Sequence, residues 1–406
     1  MTSPAELAAN RQWTRKVAIL ALISGTAVST IYLPQTLLTD LAEHFSTTPA
    51  IAGITATTIQ IGYALGIFFL VPLADRVQPR LQVTVQTLLL VAAIVVSVLL
   101  PSVGAIALGF IVVGLVANVA QVILPAAARL APAGRAGSTT STLIGSWLAG
   151  IFGGRIVAGL LAPFIGWQWV LVVFATILLA LLPFARRALG KDKRELAAVS
   201  SYGRLLLSTL TLIRRSPTVG QSVAMQFLVF TTFNSLWTVV VLYLTGPGVK
   251  WSAIAAGLFG FVGLAVVLFV PLVGKVVERF GQLNVAGAGL GVAFVASLSL
   301  IADHTILPLY AVSMFLIALS QQATQSSIQS RLLITNPQAP GQANTVFMFC
   351  MFVGGAFGAF IGPWGYINGG LTQVAIQASI FIAISLVVWG SVSTQARKAV
   401  TVGGSA

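Results

Sequence analysis

Residues 50–101 read AIAGITATTIQIGYALGIFFLVPLADRVQPRLQVTVQTLLLVAAIVVSVLLP: two apolar runs, 50 to 73 and 81 to 101, parted by a short turn that holds the stretch's three charges, Asp75, Arg76 and Arg80. A helix needs roughly 20 apolar residues to cross about 30 Å of hydrocarbon. The stretch therefore predicts a membrane hairpin with a charged turn. Working outward in both directions, the same reading gives twelve spans, at 16 to 38, 50 to 73, 81 to 101, 104 to 127, 139 to 162, 168 to 185, 218 to 244, 252 to 273, 284 to 302, 306 to 328, 343 to 363 and 371 to 393. With 57% hydrophobic and 7% charged residues, the chain lacks the polar residues to cover a water-facing surface.

A net charge of +14 would suggest nucleic acid in a chain that faces water. Placed along the chain, it reads as topology instead. Of the 22 basic residues, 20 fall on alternate connections, among them Arg11, Arg15 and Lys16, then Arg76 and Arg80, Arg129 and Arg135, the set from Arg186 to Arg215, Lys275, Arg279 and Arg331, and finally Arg397 and Lys398. Lys250 lies on the opposite side and Arg155 within a span. By the positive-inside rule both termini and the central connection are cytoplasmic, and no basic patch is left for nucleic acid. The apolar run after Lys16 is long enough to span and is expected to remain in the mature protein. One cysteine, Cys350, and two histidines at loop positions, His44 and His304, leave no disulfide and no metal constellation, so no cofactor is expected.

The basic stretch 186–217 divides the chain into halves, 1–185 and 218–406, with six spans each. Val71-Pro72-Leu73 followed by Asp75-Arg76 is echoed by Val270-Pro271-Leu272 followed by Glu278-Arg279. Gly150 to Ile156 in span 5 is echoed by Gly355 to Ile361 in span 11, a register that sets Arg155 against Phe360. Repeats of this kind in a carrier enclose a midplane binding site that is reached alternately from each side.

On these residues the chain resembles the major facilitator superfamily over nearly its whole length. The signature Gly-x-Leu-Ala-Asp-Arg-x-Gly-Arg-Arg after span 2 is matched by Leu73, Ala74, Asp75, Arg76 and Arg80, whereas Val71, Gln78 and Pro79 depart from it. The exporters' span 5 signature, Gly-x-x-x-Gly-Pro-x-x-Gly-Gly, is matched by Gly145, Gly153 and Gly154, with Ala149 and Gly150 in place of the Gly-Pro pair. Phe110 stands where many exporters carry an arginine in span 4. The resemblance is nearest to bacterial drug or sugar efflux permeases. It implies an all-α membrane protein of twelve transmembrane helices in two pseudo-symmetric six-helix halves, the major facilitator fold. It also implies a monomer in the bacterial inner membrane that carries a small-molecule substrate, with protons as the exchange partner.

Asp75, Arg76 and Arg80, with Arg135, suit a cytoplasmic latch that bridges to a neighbouring helix end such as that of span 11. Their plainer role is to orient the span during insertion. Gly145, Ala149 and Gly153 form one small-residue stripe on span 5 and Gly154, Ala158 and Ala162 a second, which lets helix backbones approach closely. Gly354, Gly358 and Gly362 repeat the device in span 11.

Arg155 has two readings. An arginine at the centre of a span costs roughly 2.5–3.5 kcal/mol on insertion scales, so something offsets it. Either it bonds to carbonyls or reaches headgroups, or it faces the cavity and binds an anionic or carbonyl-bearing substrate group. Amides form a neutral constellation: Gln35, Gln60, Asn118, Gln121, Asn234, Gln321, Gln322, Gln325 and Gln329. They either bond between helices or line a wet cavity. Spans 1, 4, 7 and 10 line the cavity in the resembled family, which implies cavity positions for Gln35, Asn118, Gln121, Asn234 and Gln325, with Tyr32 and Trp237 as stacking surfaces. No Asp or Glu lies deep in a span, which argues mildly against the usual carboxylate proton relay and leaves a uniporter or an organic-anion exchanger centred on Arg155 open. No cluster of ionisable or nucleophilic groups at one depth supports an enzyme. A substrate-sensing receptor is the alternative of a different class, and binding without movement across the bilayer would distinguish it.

Overall fold

The computed structural model describes residues 4–190, 201–302 and 305–403, with side chains throughout except at 4–9, 75 and 396–403. Every regular element among the described residues is helical, as a bilayer demands, since a helix satisfies its backbone polar groups internally. Among them, nine helices are long and apolar enough to cross a membrane. Two of the nine are pairs of spans fused across glycine kinks, which makes eleven. Ala136–Leu189 bends at Gly166, whose φ of 79° only glycine adopts without strain. Pro340–Gly403 bends at Gly369 and Gly370, the latter with a φ of 65°. The twelfth is the first helix.

That first helix differs from its expected limits. It runs Pro4–Thr30 and resumes as Leu33–Thr36 and Leu38–His44. Pro34 explains the break, because its ring lacks an N–H and clashes with the carbonyl four residues earlier, that of Thr30. At the other end the helix carries Arg11, Arg15 and Lys16 on its own turns, and Trp13 anchors it by donating from Nε1 to Thr139 Oγ1 at 3.1 Å. Spans 4 and 7 are interrupted too, at Ala117–Asn118 and at Val239. The central basic connection contains a helix of its own, Tyr202–Arg215, and Lys191, Lys193 and Arg194 lie outside the described residues.

The chain groups into two compact units, and their limits differ from the six-span halves. One comprises Met1–Val199 with Trp251–Val267, the other Ser200–Lys250 with Leu268–Ala406. The first part of span 8 belongs with the first unit because it crosses span 5 at a pair of glycines. A Cβ on Gly257 would lie 2.7 Å from the Gly159 Cα. Large apolar side chains such as Leu99, Phe164, Leu268 and Val387 point outward, the surface that lipid rather than water would solvate.

Candidate functional site: a polar cluster around Arg155

In the first unit, spans 1 and 5 cross at backbone distance. A Cβ on Gly150 would lie 2.2 Å from the Gly25 carbonyl oxygen, and one on Gly154 would lie 2.7 Å from the Ser29 Cβ. Ser29 Oγ donates to Gly150 O at 2.8 Å as well as to Gly25 O of its own helix at 2.8 Å. The Gly150–Gly154 face makes this crossing. Gly153 has open space where a Cβ would go, and Gly145 has only Val267 at 4.0 Å, so the stripe of Gly145, Ala149 and Gly153 meets no helix closely.

One residue beyond Gly154, Arg155 points into the protein and is 5% exposed. Its Nη2 donates to Gln35 Oε1. The guanidinium carbon lies 5.1 Å from the Tyr32 ring centroid and 5.6 Å from that of Phe152, within cation–π range. Tyr32 sits in the Pro34-induced break and Gln35 just past it, so both of these span 1 side chains meet Arg155 of span 5 where span 1 changes course. Phe152 is seated over Gly263 of span 8, where a Cβ would lie 2.1 Å from its ring. Of the two readings of Arg155, this geometry has the side chain turned inward to Gln35 and Tyr32.

Gln60 of span 2 faces the Tyr32 hydroxyl, and Tyr63, one turn on, pairs with Gln121 of span 4. Asn118 sits at the span 4 break, donates to Tyr63 O at 3.4 Å and accepts from Gln86 Nε2 at 3.4 Å. The first unit thus gathers Tyr32, Gln35, Gln121 and Arg155 with Gln60 and Tyr63, and engages Asn118 in bonds between helices. Tyr63, Gln86, Ser29 and Phe152 were not among the site residues expected from the sequence. Gln60 and Tyr63 lie three residues apart, a spacing that puts them on one helix face, and Gln86 is an amide within span 3.

In the second unit the three remaining cavity candidates have local partners. Asn234 Nδ2 donates to Phe230 O of its own helix at 3.2 Å. Gln325 Oε1 accepts from Gln321 Nε2 at 2.8 Å, and the buried Trp237 ring lies 6.0 Å from that of Phe233. Spans 7 and 11 repeat the crossing: Thr231 Oγ1 donates to Gly354 O at 3.0 Å, and a Cβ on Gly354 would lie 2.4 Å from Phe227 O. Ser29 therefore corresponds to Thr231 and Gly150 to Gly354. Counting on, Tyr32 corresponds to Asn234, Gln35 to Trp237 and Arg155 to Ala359. The sequence register that opposed Arg155 to Phe360 is off by one, and burial shows why: Ala359 is 0% exposed, whereas Phe360 is 55% exposed.

At the basic end of the first unit, Arg135 Nη1 donates to Thr14 Oγ1 at 3.4 Å. Span 2 ends in a tight 3-10 turn, Val71–Asp75, with Arg76 and Arg80 half-buried beside it. Gln82 Nε2 ties span 3 back to Leu70 O at 2.6 Å. The Asp75 side chain lies outside the described residues. Past the other end of span 1, Asp40 is half-buried; burial pushes its carboxyl above the ordinary range, its own backbone and Thr39 pull it down, and Glu43 adds to the rise.

Two fused glycine-kinked pairs, interrupted spans and a buried arginine in a polar cluster describe a polytopic membrane carrier. The description Major Facilitator Superfamily matches residues 17–359, and the chain belongs to that family: it is a multi-pass membrane protein, a secondary transporter of small molecules and not an enzyme. An uncharacterized transporter of Escherichia coli O157:H7, YgaY, is 29% identical over 374 residues, 92% of this chain and 94% of the relative. A chloramphenicol efflux pump of Mycobacterium tuberculosis is 27% identical over 309 residues, 72% of each chain. A variant of the nucleoside transporter NupG shares the fold, with a TM-score of 0.76 at 14% identity over 93% of this chain and 98% of that one.

Proposed function

We propose that the chain is an efflux permease that exports small organic molecules, drug-like compounds or sugars, by alternating access in exchange for protons. The observation that carries this reading is Arg155, buried against Gln35 and over Tyr32 among the amides and hydroxyls of spans 1, 2 and 4. A guanidinium held by a neutral amide is a strong donor for a substrate carbonyl or anion, because a charge-assisted hydrogen bond outcompetes a neutral one. The direction rests on the partial span 5 signature and on the likeness to the chloramphenicol efflux pump. In this reading the protein is a monomer of the cell inner membrane with both termini cytoplasmic. Asp75, Arg76, Arg80 and Arg135 latch its cytoplasmic side, and Asp40 is the carboxylate available to take a proton at the opposite mouth.

A second reading is a uniporter or an organic-anion exchanger centred on Arg155. One observation favours it: no Asp or Glu lies deep in any span, so the cluster carries a cation without the usual titrating acid. The test is compound-induced proton movement in everted vesicles across drugs, sugars and organic acids, with Arg155→Ala and Arg155→Lys as comparisons. Antiport predicts a response that falls at least about tenfold in Arg155→Ala, the loss of one charge-assisted contact, and survives in part in Arg155→Lys. Uptake of an organic acid without proton movement would replace it with the exchanger.

A further inference from the structure

At the basic end of the second unit, the start of span 9 and the end of span 10 border an open cavity of about 420 Å³. Gln282, Leu283 and Asn284 line one side, and Arg331, Ile334 and Thr335 the other. Arg331 is half-buried, and its Nη1 is shielded from solvent with no hydrogen-bond partner. A buried guanidinium nitrogen without an acceptor is costly and marks a place where an anion belongs. The neighbours on the cavity wall do not supply one. Thr335 Oγ1 is turned to the Arg331 carbonyl at 2.9 Å, and Asn284 Nδ2 to the Phe280 carbonyl at 2.9 Å.

The opposite wall adds donors. Span 9 runs Gln282–Ala302, and its first turn-closing bond is Val285 N to Gly281 O at 3.2 Å. The N–H groups of Gln282, Leu283 and Asn284 therefore precede the helix's own bonding and carry its positive end. Main-chain N–H groups on one wall and a guanidinium on the other form a pattern that fits the three oxygens of a phosphate better than a carboxylate. Leu283 and the exposed Ile334 give the rim an apolar border, which suits a lipid tail beside a phosphate.

A comparable span end sharpens the point. Arg129 stands in the last turn of span 4, at its basic end, as Arg331 stands at the basic end of span 10. Arg129 is exposed to solvent, so a basic residue at this place needs no cavity merely to satisfy the topology rule.

We propose that the Arg331 cavity binds a phosphate group, that of an anionic phospholipid on the basic side of the membrane. The test is thermal unfolding of the purified full-length protein in detergent alone, with phosphatidylglycerol and with inorganic phosphate. Wild type and Arg129→Gln are expected to gain several degrees with phosphatidylglycerol, and Arg331→Gln less than half of that. Ile334→Glu sets a carboxylate one turn from Arg331 on the same wall, where it pairs with the guanidinium in place of a phosphate and leaves the core untouched, so it decides the matter if Arg331→Gln does not fold. It too is expected to lose the shift. A shift from inorganic phosphate but not from the lipid keeps the phosphate site and makes its ligand soluble. The full lipid shift in both Arg331→Gln and Ile334→Glu, or no shift in wild type with either probe, overturns the proposal.

Discussion

The crossing of spans 1 and 5 and the crossing of spans 7 and 11 are built alike up to one turn and then part. Each has a hydroxyl donating across to a glycine carbonyl, Ser29 to Gly150 at 2.8 Å and Thr231 to Gly354 at 3.0 Å. Each brings glycines onto backbone carbonyls at distances that no side chain fits. Five residues past the clamped glycine, the first unit has Arg155 bonded to Gln35, and the second has Ala359. The repeat has kept the packing device and spent the equivalent polar position in one half only. Packing constrains both copies equally, because close backbone approach is the main attraction available between helices in lipid. In the proposed function, chemistry is needed once, on the side where the substrate's polar group would be met.

The largest expected effect comes from breaking the shared device. Gly150→Leu would drive a side chain into the Gly25 carbonyl, and Gly354→Leu one into the Phe227 carbonyl, each from a Cβ already under 2.5 Å away. Backbone cannot yield as a side-chain tip can, so the cost exceeds the ~1–3 kcal/mol of ordinary overpacking. Both variants are expected to lose the monodisperse peak in size-exclusion chromatography. Gly153→Ala, with open space around its Cβ, is expected to behave as wild type. A folded Gly150→Leu would show that the crossing is looser than these distances require.

The membrane-spanning helices were legible in the sequence because hydropathy over some 20 residues depends on length and composition alone. The break after Thr30 was legible in principle from Pro34. The register between spans 5 and 11 was not. Gly354 and Gly355 are adjacent, so a glycine pattern slides by one residue without penalty, and only the partner across the crossing selects Gly354. The same limit hid which small stripe of span 5 packs. Spacing of four names two faces, Gly145-Ala149-Gly153 and the one holding Gly154, but the neighbour that chooses between them lies more than 100 residues away. Arg155 and Gln35 were each conspicuous as polar residues in apolar runs. Their pairing across 120 residues is a product of the fold.

A smaller effect tests whether the two halves differ in chemistry as well as in residue names. Gln35→Ala removes an acceptor from a buried guanidinium, and hydrogen bonds to charged groups are worth about 1.5–3 kcal/mol. Asn234→Ala, at the corresponding end of span 7, removes a bond to the carbonyl of its own helix, which already has a backbone donor, so less than about 1 kcal/mol is expected. Thermal unfolding in detergent should rank Gln35→Ala below Asn234→Ala by a few degrees. Equal losses would mean that the Arg155 cluster contributes no more to the fold than its counterpart does.

The smallest effect should be the same in both units. Ser29→Ala and Thr231→Val each delete one hydroxyl bridge and leave the glycine crossing in place. Glycine carbonyls at these positions still accept from their own helices, so neither variant leaves a buried acceptor unsatisfied. Interhelical side-chain bonds in membranes average about 0.6 kcal/mol, and each variant should lose about that much, within error of the other. A marked excess in Ser29→Ala has a structural reading. Ser29 lies one turn before Tyr32 on the segment that ends at the Pro34-induced break, and its bond to Gly150 holds that segment to span 5 just before the Arg155 contacts begin. An unequal pair would therefore mean that the first-unit clamp also positions the cluster, and that the packing device is not identical in the two halves after all.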